Sequence, residues 1–98
     1  MYKVRQSNKA KRDCMKAERA GFKPQLAKIL GTLEKNPYEL SQGFEKLKGD
    51  LKDMYSRRIN YYNRVVYEIA PNTENLIDPN GKPYEGIVHV ARTWNHYD

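Results

Sequence analysis

The side chains best suited to chemistry in this chain are a glutamate, a histidine near the C-terminus and several arginines. Glu45 can accept a proton, His96 can donate one, and arginine can stabilise a negatively charged transition state. Cleavage of RNA requires these three roles and no more, because RNA carries its own nucleophile in the 2′-hydroxyl group. Histidine suits proton donation since its ordinary pKa lies near neutral pH, and the planar guanidinium of arginine binds phosphate through two parallel hydrogen bonds. Residue types alone are not specific, however, because most basic domains contain them.

Other kinds of reactive site find no support in the sequence. The two histidines and the one cysteine are not spaced as metal ligands, so we expect no bound metal and no other cofactor. Cys14 falls on the apolar stripe of a predicted helix, which favours a structural role over a nucleophilic one. The chain also has no glycine-rich phosphate-binding loop and no nucleophile elbow. Glu45, His96 and the arginines therefore remain as the candidate catalytic group.

The positive charge of the chain is concentrated in its first third. The formal net charge is +6, but residues 1–31 alone contain nine basic and two acidic side chains, and the rest of the chain is close to neutral. Clustered cations favour a polyanionic partner such as RNA, although a solvated basic helix face would have the same composition. The length predicts a single domain, residues 1–98. One cysteine and the lack of an apolar leader after Met1 predict a cytoplasmic protein that does not enter a membrane.

The N-terminal half has the pattern of one strand and two helices. The alternation in YKVRQ (2–6) predicts a strand, and Ser7 is a candidate N-cap for the helix that follows. Gly21 ends this helix, Pro24 begins a second one, and Pro37 ends the second. Both helices have apolar residues at helical spacing, namely Ala10, Cys14 and Ala17 in the first and Leu26, Ile29, Leu30 and Leu33 in the second.

The C-terminal half changes to the pattern of strands. Residues 37–54 predict an ordered loop with about one helical turn. MYSRRIN (54–60) and RVVYEI (64–69) predict two antiparallel strands joined by a short turn, and GIVHVARTW (86–94) predicts the last strand. The order of elements is therefore strand, helix, helix, loop and three strands. This order predicts an α+β fold in which a helical hairpin packs on one face of a twisted antiparallel sheet.

Alternation along the predicted strands separates the arginines by face. Arg64 lies on the opposite face from Val65 and Tyr67, so it projects away from the helices if those apolar residues face the core. Arg57 and Arg58 are adjacent, so only one of them can lie on the same face as Arg64.

Several segments match one known family in order and spacing. They are Glu45, Leu47 and Leu51 in a Glu-x-Leu-x-x-x-Leu segment, YSRRI (55–59), RVVY (64–67), and the terminal pair His96 and Tyr97. In these segments the chain resembles the Txe/YoeB toxins of the RelE/ParE superfamily, which are ribosome-dependent mRNA interferases of type II toxin–antitoxin pairs. The YKV opening and the strand–helix–helix layout of the N-terminal half agree with the same family.

The resemblance implies a RelE-like fold and a toxin that cleaves mRNA in the ribosomal A site, without a metal, through attack of the 2′-hydroxyl group. It makes Glu45 the general base, Arg64 the principal cation at the transition state and His96 the general acid. It also favours Arg58 over Arg57 as the second arginine of the site. The residues that it implies for contact with RNA are Lys48, Arg58 and Tyr97.

The implied partners are the ribosome, mRNA and an antitoxin of the YefM or Axe type, and a homodimer is compatible with the family. The basic first helix would then dock on ribosomal RNA. The chain departs from the family pattern at residues 71–86, an inserted connection where relatives have a tight turn, which concerns partner contacts more than the site. A non-catalytic basic module of the same fold, binding RNA or the ribosome, is the alternative. Such a module has no need of Glu45, Arg64 and His96 together.

Overall fold

The computed structural model has the predicted order of elements with one short strand added. It describes the backbone of residues 1–96 and the side chains of residues 1–93. A single 3-10 turn, Gly49–Leu51, follows the added strand. In chain order the strands and helices are β1 (Lys3–Gln6), α1 (Asn8–Arg19), α2 (Lys23–Lys35), β2 (Glu45–Lys46), β3 (Met54–Arg58), β4 (Asn63–Ala70) and β5 (Ile87–His96).

The helices begin and end where the sequence predicts. The Ser7 hydroxyl accepts a hydrogen bond from the backbone N–H of Ala10 at 3.0 Å, which caps α1. Gly21, with φ of +91°, allows the left-handed turn that separates α1 from α2. Pro24 lies in the first turn of α2, where its missing N–H is not needed. Within the described part of the chain, neither helix is long and apolar enough to cross a membrane.

The five strands form one sheet in the order β1, β5, β4, β3, β2. All neighbours are antiparallel except β1 and β5, which pair in parallel from Lys3 opposite Ile87 to Gln6 opposite Val90. The predicted α+β fold is confirmed, and the sheet is mixed rather than wholly antiparallel. Parallel strands require a long crossover, and here the chain between β1 and β5 includes both helices and three strands.

The helices cover one face of the sheet, and the core lies between them. Of the predicted helical stripe residues, Ala10, Ala17, Leu26, Ile29 and Leu33 are buried, while Cys14 and Leu30 are half-buried against them. The sheet contributes Val65 and Tyr67 from β4 and Val88 and Val90 from β5. No helix of the described residues covers the opposite face of the sheet, which is named the open face. Arg64 and Glu68 lie on it by alternation, although the register of β4 shifts between Arg64 and Tyr67.

The segment between α2 and β3, predicted as an ordered loop with about one helical turn, also contains a short strand. Glu45 and Lys46 form β2, which pairs antiparallel with Ser56 and Tyr55 of β3. The ring of Phe44, immediately before β2, stacks on Tyr55 with centroids 5.5 Å apart. Glu45 therefore lies on the edge strand of the sheet.

The inserted segment 71–86 folds into an ordered turn beside β1. The backbone N–H of Asp78 donates to the carbonyl of Lys82 at 2.7 Å, and Ile77 pairs with Pro83 in an isolated bridge. Two exposed ion pairs, each of 2.7 Å, join this segment to the start of the chain: Glu74 with Arg5, and Glu85 with the N-terminal amine. The insertion thus lies against the β1 edge, at the opposite edge of the sheet from β2.

Candidate active site

Three strands bring Glu45, Ser56 and Arg64 together on the open face. Glu45 is opposite Ser56 in the β2–β3 pair, and Arg64 is opposite Arg58 in the β3–β4 pair. Residues opposite each other point to the same face, and so do residues two apart along one strand. These four side chains consequently share the open face near the edge strand β2.

Glu45 and Arg64 are in direct contact. Nη1 of Arg64 donates to Oε2 of Glu45 at 2.5 Å and to the Ser56 hydroxyl at 3.3 Å. The Arg64 side chain is 16% exposed, whereas that of Glu45 is 54% exposed. A largely buried guanidinium thus holds a carboxylate that remains open to solvent. A ligand bound at this point of the open face would therefore meet both a proton acceptor and a cation.

Ser56 was not predicted as a member of this site. It is fully buried, and its hydroxyl lies against the Arg64 guanidinium. Two signals for it are present in the sequence: it belongs to the YSRRI (55–59) segment, and it lies two residues before Arg58 and therefore on the same face of β3.

Arg58 lies beside Arg64 and projects from the open face. The side chain is exposed, and its guanidinium forms no ion pair with any side chain that the structure describes. Its aliphatic part packs on Gly43, where a Cβ atom would lie 2.8 Å from Cγ of Arg58. Gly43 also has φ of +65°, so both space and backbone conformation favour glycine there.

Arg57 has the opposite environment and is fully buried. Its guanidinium donates to the carbonyl oxygens of Pro37, Glu39 and Ser41 at 2.8–3.0 Å. Its Nε donates to the hydroxyl of Tyr67 at 3.1 Å. Arg57 therefore fixes the segment that leads into β2 and lies on the other face of β3 from Arg64.

Tyr67 reinforces the same anchor. Burial raises the pKa of Tyr67 to about 12, so its hydroxyl stays protonated at all physiological pH values. That hydroxyl donates to the carbonyl of Pro37 at 2.7 Å while it accepts from Arg57. Both residues thus hold the chain upstream of Glu45.

The remaining predicted site residues are Lys48, His96 and Tyr97. Lys48 is exposed and lies just beyond β2. The backbone of His96 ends β5 opposite Asn63, next to Arg64, so the last strand brings this residue to the same end of the sheet. The side chain of His96 and the whole of Tyr97 lie outside the described residues. His89, the other histidine, is half-buried near the start of β5, opposite Glu68.

Neither a metal centre nor a reactive thiol emerges from the described residues. Among them, no three histidine, cysteine, aspartate or glutamate side chains are arranged to hold a metal ion. Burial raises the pKa of the Cys14 thiol, which donates a hydrogen bond to Oε1 of Gln6 at 3.1 Å. A raised pKa disfavours the nucleophilic thiolate.

Comparison with protein-family models identifies the family of this chain. A family model described as "YoeB-like toxin of bacterial type II toxin-antitoxin system" matches residues 14–80, which is more than half of the chain. No curated protein matches the chain in sequence.

Solved structures match over nearly the full length. The YoeB/ParE toxin from Agrobacterium tumefaciens is 21% identical, with 97% of this chain and 99% of that chain covered and a TM-score of 0.76. The YoeB–YefM complex from Staphylococcus aureus contains a chain that is 25% identical, with 99% of both chains covered and a TM-score of 0.68. The YoeB dimer from the same organism is 24% identical, with 98% of both chains covered and a TM-score of 0.70.

Proposed function

The chain belongs to the family of YoeB-like toxins of bacterial type II toxin–antitoxin systems, and we propose that it is a metal-independent endoribonuclease that cleaves mRNA in the ribosomal A site. The whole chain, residues 1–98, acts as one toxin domain in the cytoplasm, where translating ribosomes are found. A ribonuclease is the function best supported by the side chains on the open face.

The contact between Glu45 and Arg64 is the observation that carries this proposal. A solvent-accessible carboxylate and a largely buried guanidinium meet at 2.5 Å, and the exposed Arg58 lies in the neighbouring position. When a phosphodiester enters, its anionic oxygens compete with Glu45 for the Arg64 guanidinium. The carboxylate is then released beside the ribose, where it can accept a proton.

The proposed reaction needs a base, two cations and an acid. Glu45 removes the proton of the 2′-hydroxyl group, and the 2′-oxygen forms a bond to phosphorus. Arg64 stabilises the doubly charged phosphorane, with Arg58 as the second cation. The bond from phosphorus to the 5′-oxygen breaks, and His96 gives its proton to that leaving oxygen. The products are a 2′,3′-cyclic phosphate and a free 5′-hydroxyl group.

Lys48 and Tyr97 hold the RNA strand beside this group in the proposed complex. The ribosome supplies the mRNA, and the basic helix α1 docks on ribosomal RNA. We also propose a YefM-like antitoxin as the partner of this chain, on the model of the complex from Staphylococcus aureus, and a homodimer on the model of the dimer from that organism.

Primer extension on a translated mRNA, with purified protein and ribosomes, tests the catalytic proposal. We expect His96→Gln to lower the cleavage rate by about 100-fold or more, because it removes the general acid. His89→Gln is the matched control, since it changes the other histidine, near the start of β5. It should leave the cleavage rate within about threefold.

Two results would contradict the proposal. Equal cleavage by the parent chain and the His96→Gln variant would reject His96 as the general acid. Ribosome binding by the parent chain with no cleavage of any translated mRNA would reject the ribonuclease and favour the non-catalytic binding module. The cleavage rate of the Glu45→Gln variant should be lowered by a factor similar to that for His96→Gln, since the substitution removes the general base.

A further inference from the structure

The turn between β3 and β4 presents two tyrosines at the end of the sheet. Tyr61 is 77% exposed and Tyr62 is 60% exposed. Their rings form an edge-to-face pair with centroids 4.9 Å apart and an angle of 77° between the planes. An edge-to-face contact occupies the face of only one ring of the pair. Tyr61, the more exposed of the two, offers flat aromatic surface to a ligand.

Hydrogen bonds fix the backbone of this turn. Oδ1 of Asn60 accepts from the backbone N–H groups of Tyr62 at 2.9 Å and of Asn63 at 2.8 Å. The backbone N–H of Ile59 donates to the carbonyl of Asn63 at 2.9 Å, and the Ile59 side chain is buried in the core. Because the turn is already ordered, a ligand that stacks on the rings loses little binding free energy to ordering the backbone.

The surroundings of the turn match a nucleic acid strand. The turn follows directly on the rung of the sheet formed by Arg58 and Arg64. Arg58 is exposed on the open face and Arg64 contacts Glu45 there, whereas Arg57 is buried on the other face and does not contribute. Proteins bind single-stranded RNA through cations, which attract its phosphates, and through exposed aromatic rings, on which its bases stack.

We propose that the Tyr61–Tyr62 turn stacks on an unpaired RNA base next to the phosphate that Arg58 and Arg64 bind. This proposal rests on the proposed ribonuclease function for the position of the strand, but the stacking itself needs no catalysis. The proposed subsite lies next to the catalytic group and is formed only by residues of the turn between β3 and β4.

Binding of a fluorescent 2′-O-methyl RNA of about eight nucleotides tests the stacking. This RNA cannot be cleaved, because its 2′-oxygen cannot act as a nucleophile, so the measurement is independent of catalytic activity. We expect the double variant Tyr61→Leu, Tyr62→Leu to bind about tenfold more weakly than the parent chain in fluorescence anisotropy titrations. The double variant Tyr61→Phe, Tyr62→Phe should bind as the parent does, because phenylalanine keeps the ring.

Tyr38→Leu is the matched control. Tyr38 is 45% exposed but lies in the segment after α2, where its ring packs edge-on against Tyr55, so its loss should leave RNA binding unchanged. A second series replaces single nucleotides of the RNA by abasic ones. One abasic position should weaken the parent chain about tenfold and have little effect on the double leucine variant, since the stacked base is then already lost.

Co-sedimentation with ribosomes that carry no mRNA distinguishes the source of the base. Weaker binding of the oligonucleotide assigns the base to the strand held by the site. Weaker binding to empty ribosomes alone would assign the base to ribosomal RNA and overturn its position next to the phosphate that Arg58 and Arg64 bind. The proposal is overturned if the double leucine variant keeps parental affinity for both, if Tyr38→Leu loses as much, or if only antitoxin binding is weakened. Cleavage by the parent chain with unchanged RNA binding by the variant would reject the stacking and keep the ribonuclease.

Discussion

Arg57 and Arg58 are neighbours with opposite roles. The guanidinium of Arg57 is buried and donates to three backbone carbonyls and to Tyr67, whereas Arg58 is exposed. Alternation along β3 predicted that only one of them could share a face with Arg64. It could not predict the partners of the other, because the carbonyls of residues 37–41 come into range only through the path of the chain after α2.

Replacing Arg57 should therefore cost far more stability than replacing Arg58. Arg57→Met keeps the length of the side chain but leaves the carbonyls of Pro37, Glu39 and Ser41 without their donor in the interior. We expect the free energy of unfolding to fall by about 3 kcal/mol. Arg58→Met, the control in the next position, should change it by less than about 0.5 kcal/mol. Denaturant unfolding of both variants measures the difference, and equal losses would contradict the anchoring role.

At the scale of elements, helix α1 is tied to strand β5 through Asp13. The predicted apolar stripe put Cys14 toward the core, but Asp13 is the more deeply buried of the two. Its carboxylate accepts from Nε of Arg92 at 2.8 Å and from the backbone N–H of Thr93 at 3.1 Å. Helical periodicity does not reveal such a contact, since its partners lie about 80 positions away in sequence.

The pKa of Asp13 should make this tie sensitive to acid. Burial alone would raise the pKa, but the hydrogen bonds from Arg92 and Thr93, together with the positive charges of Arg92 and Lys16, outweigh burial and hold the pKa below its usual value. A lowered pKa in the folded state stabilises the fold fully above about pH 4, the ordinary pKa of aspartate, and this stabilisation is lost as the pH falls further. We expect Asp13→Asn to be less stable than the parent chain by about 2 kcal/mol at pH 7.

Thermal and denaturant unfolding from pH 7 to pH 2 measures this difference. The difference in the free energy of unfolding between the parent chain and Asp13→Asn should stay constant down to about pH 4 and then become smaller. Glu18→Gln, on the exposed side of the same helix, should differ from the parent by less than about 0.5 kcal/mol at neutral pH. A gap for Asp13→Asn that is independent of pH would show that the charge of Asp13 is not what ties α1 to β5.

The order of elements was predictable because each element carries its own periodicity. The parallel pairing of β1 with β5 was not predictable, since it depends on how the helices and strands between them in sequence pack together. The insertion 71–86 illustrates the same limit. Its turn residues marked it as a connection, but its attachment to β1 depends on Arg5 and the N-terminal amine, which meet Glu74 and Glu85 only in the folded chain.

At the scale of the whole molecule, the two basic surfaces lie on opposite sides of the sheet. Helix α1 covers the core face and exposes Lys9, Lys11, Arg12, Lys16 and Arg19. Arg58 and Arg64 belong to the open face. This arrangement suits the proposed function, in which one RNA strand lies in the site while ribosomal RNA binds the helix.

Charge reversal on α1 should thus weaken ribosome binding without damage to the site. We expect Lys11→Glu, Arg12→Glu and Lys16→Glu together to lower affinity for ribosomes at least about tenfold near physiological salt, and to make the affinity less dependent on salt, because three phosphate contacts are lost. The matched control is Lys23→Glu, Lys28→Glu and Lys35→Glu on α2, which changes the net charge equally at other exposed positions. Co-sedimentation at several salt concentrations measures both. Equal losses would mean that net charge, through long-range attraction, governs binding, whereas a loss limited to the α1 variant would identify this helix as the docking surface.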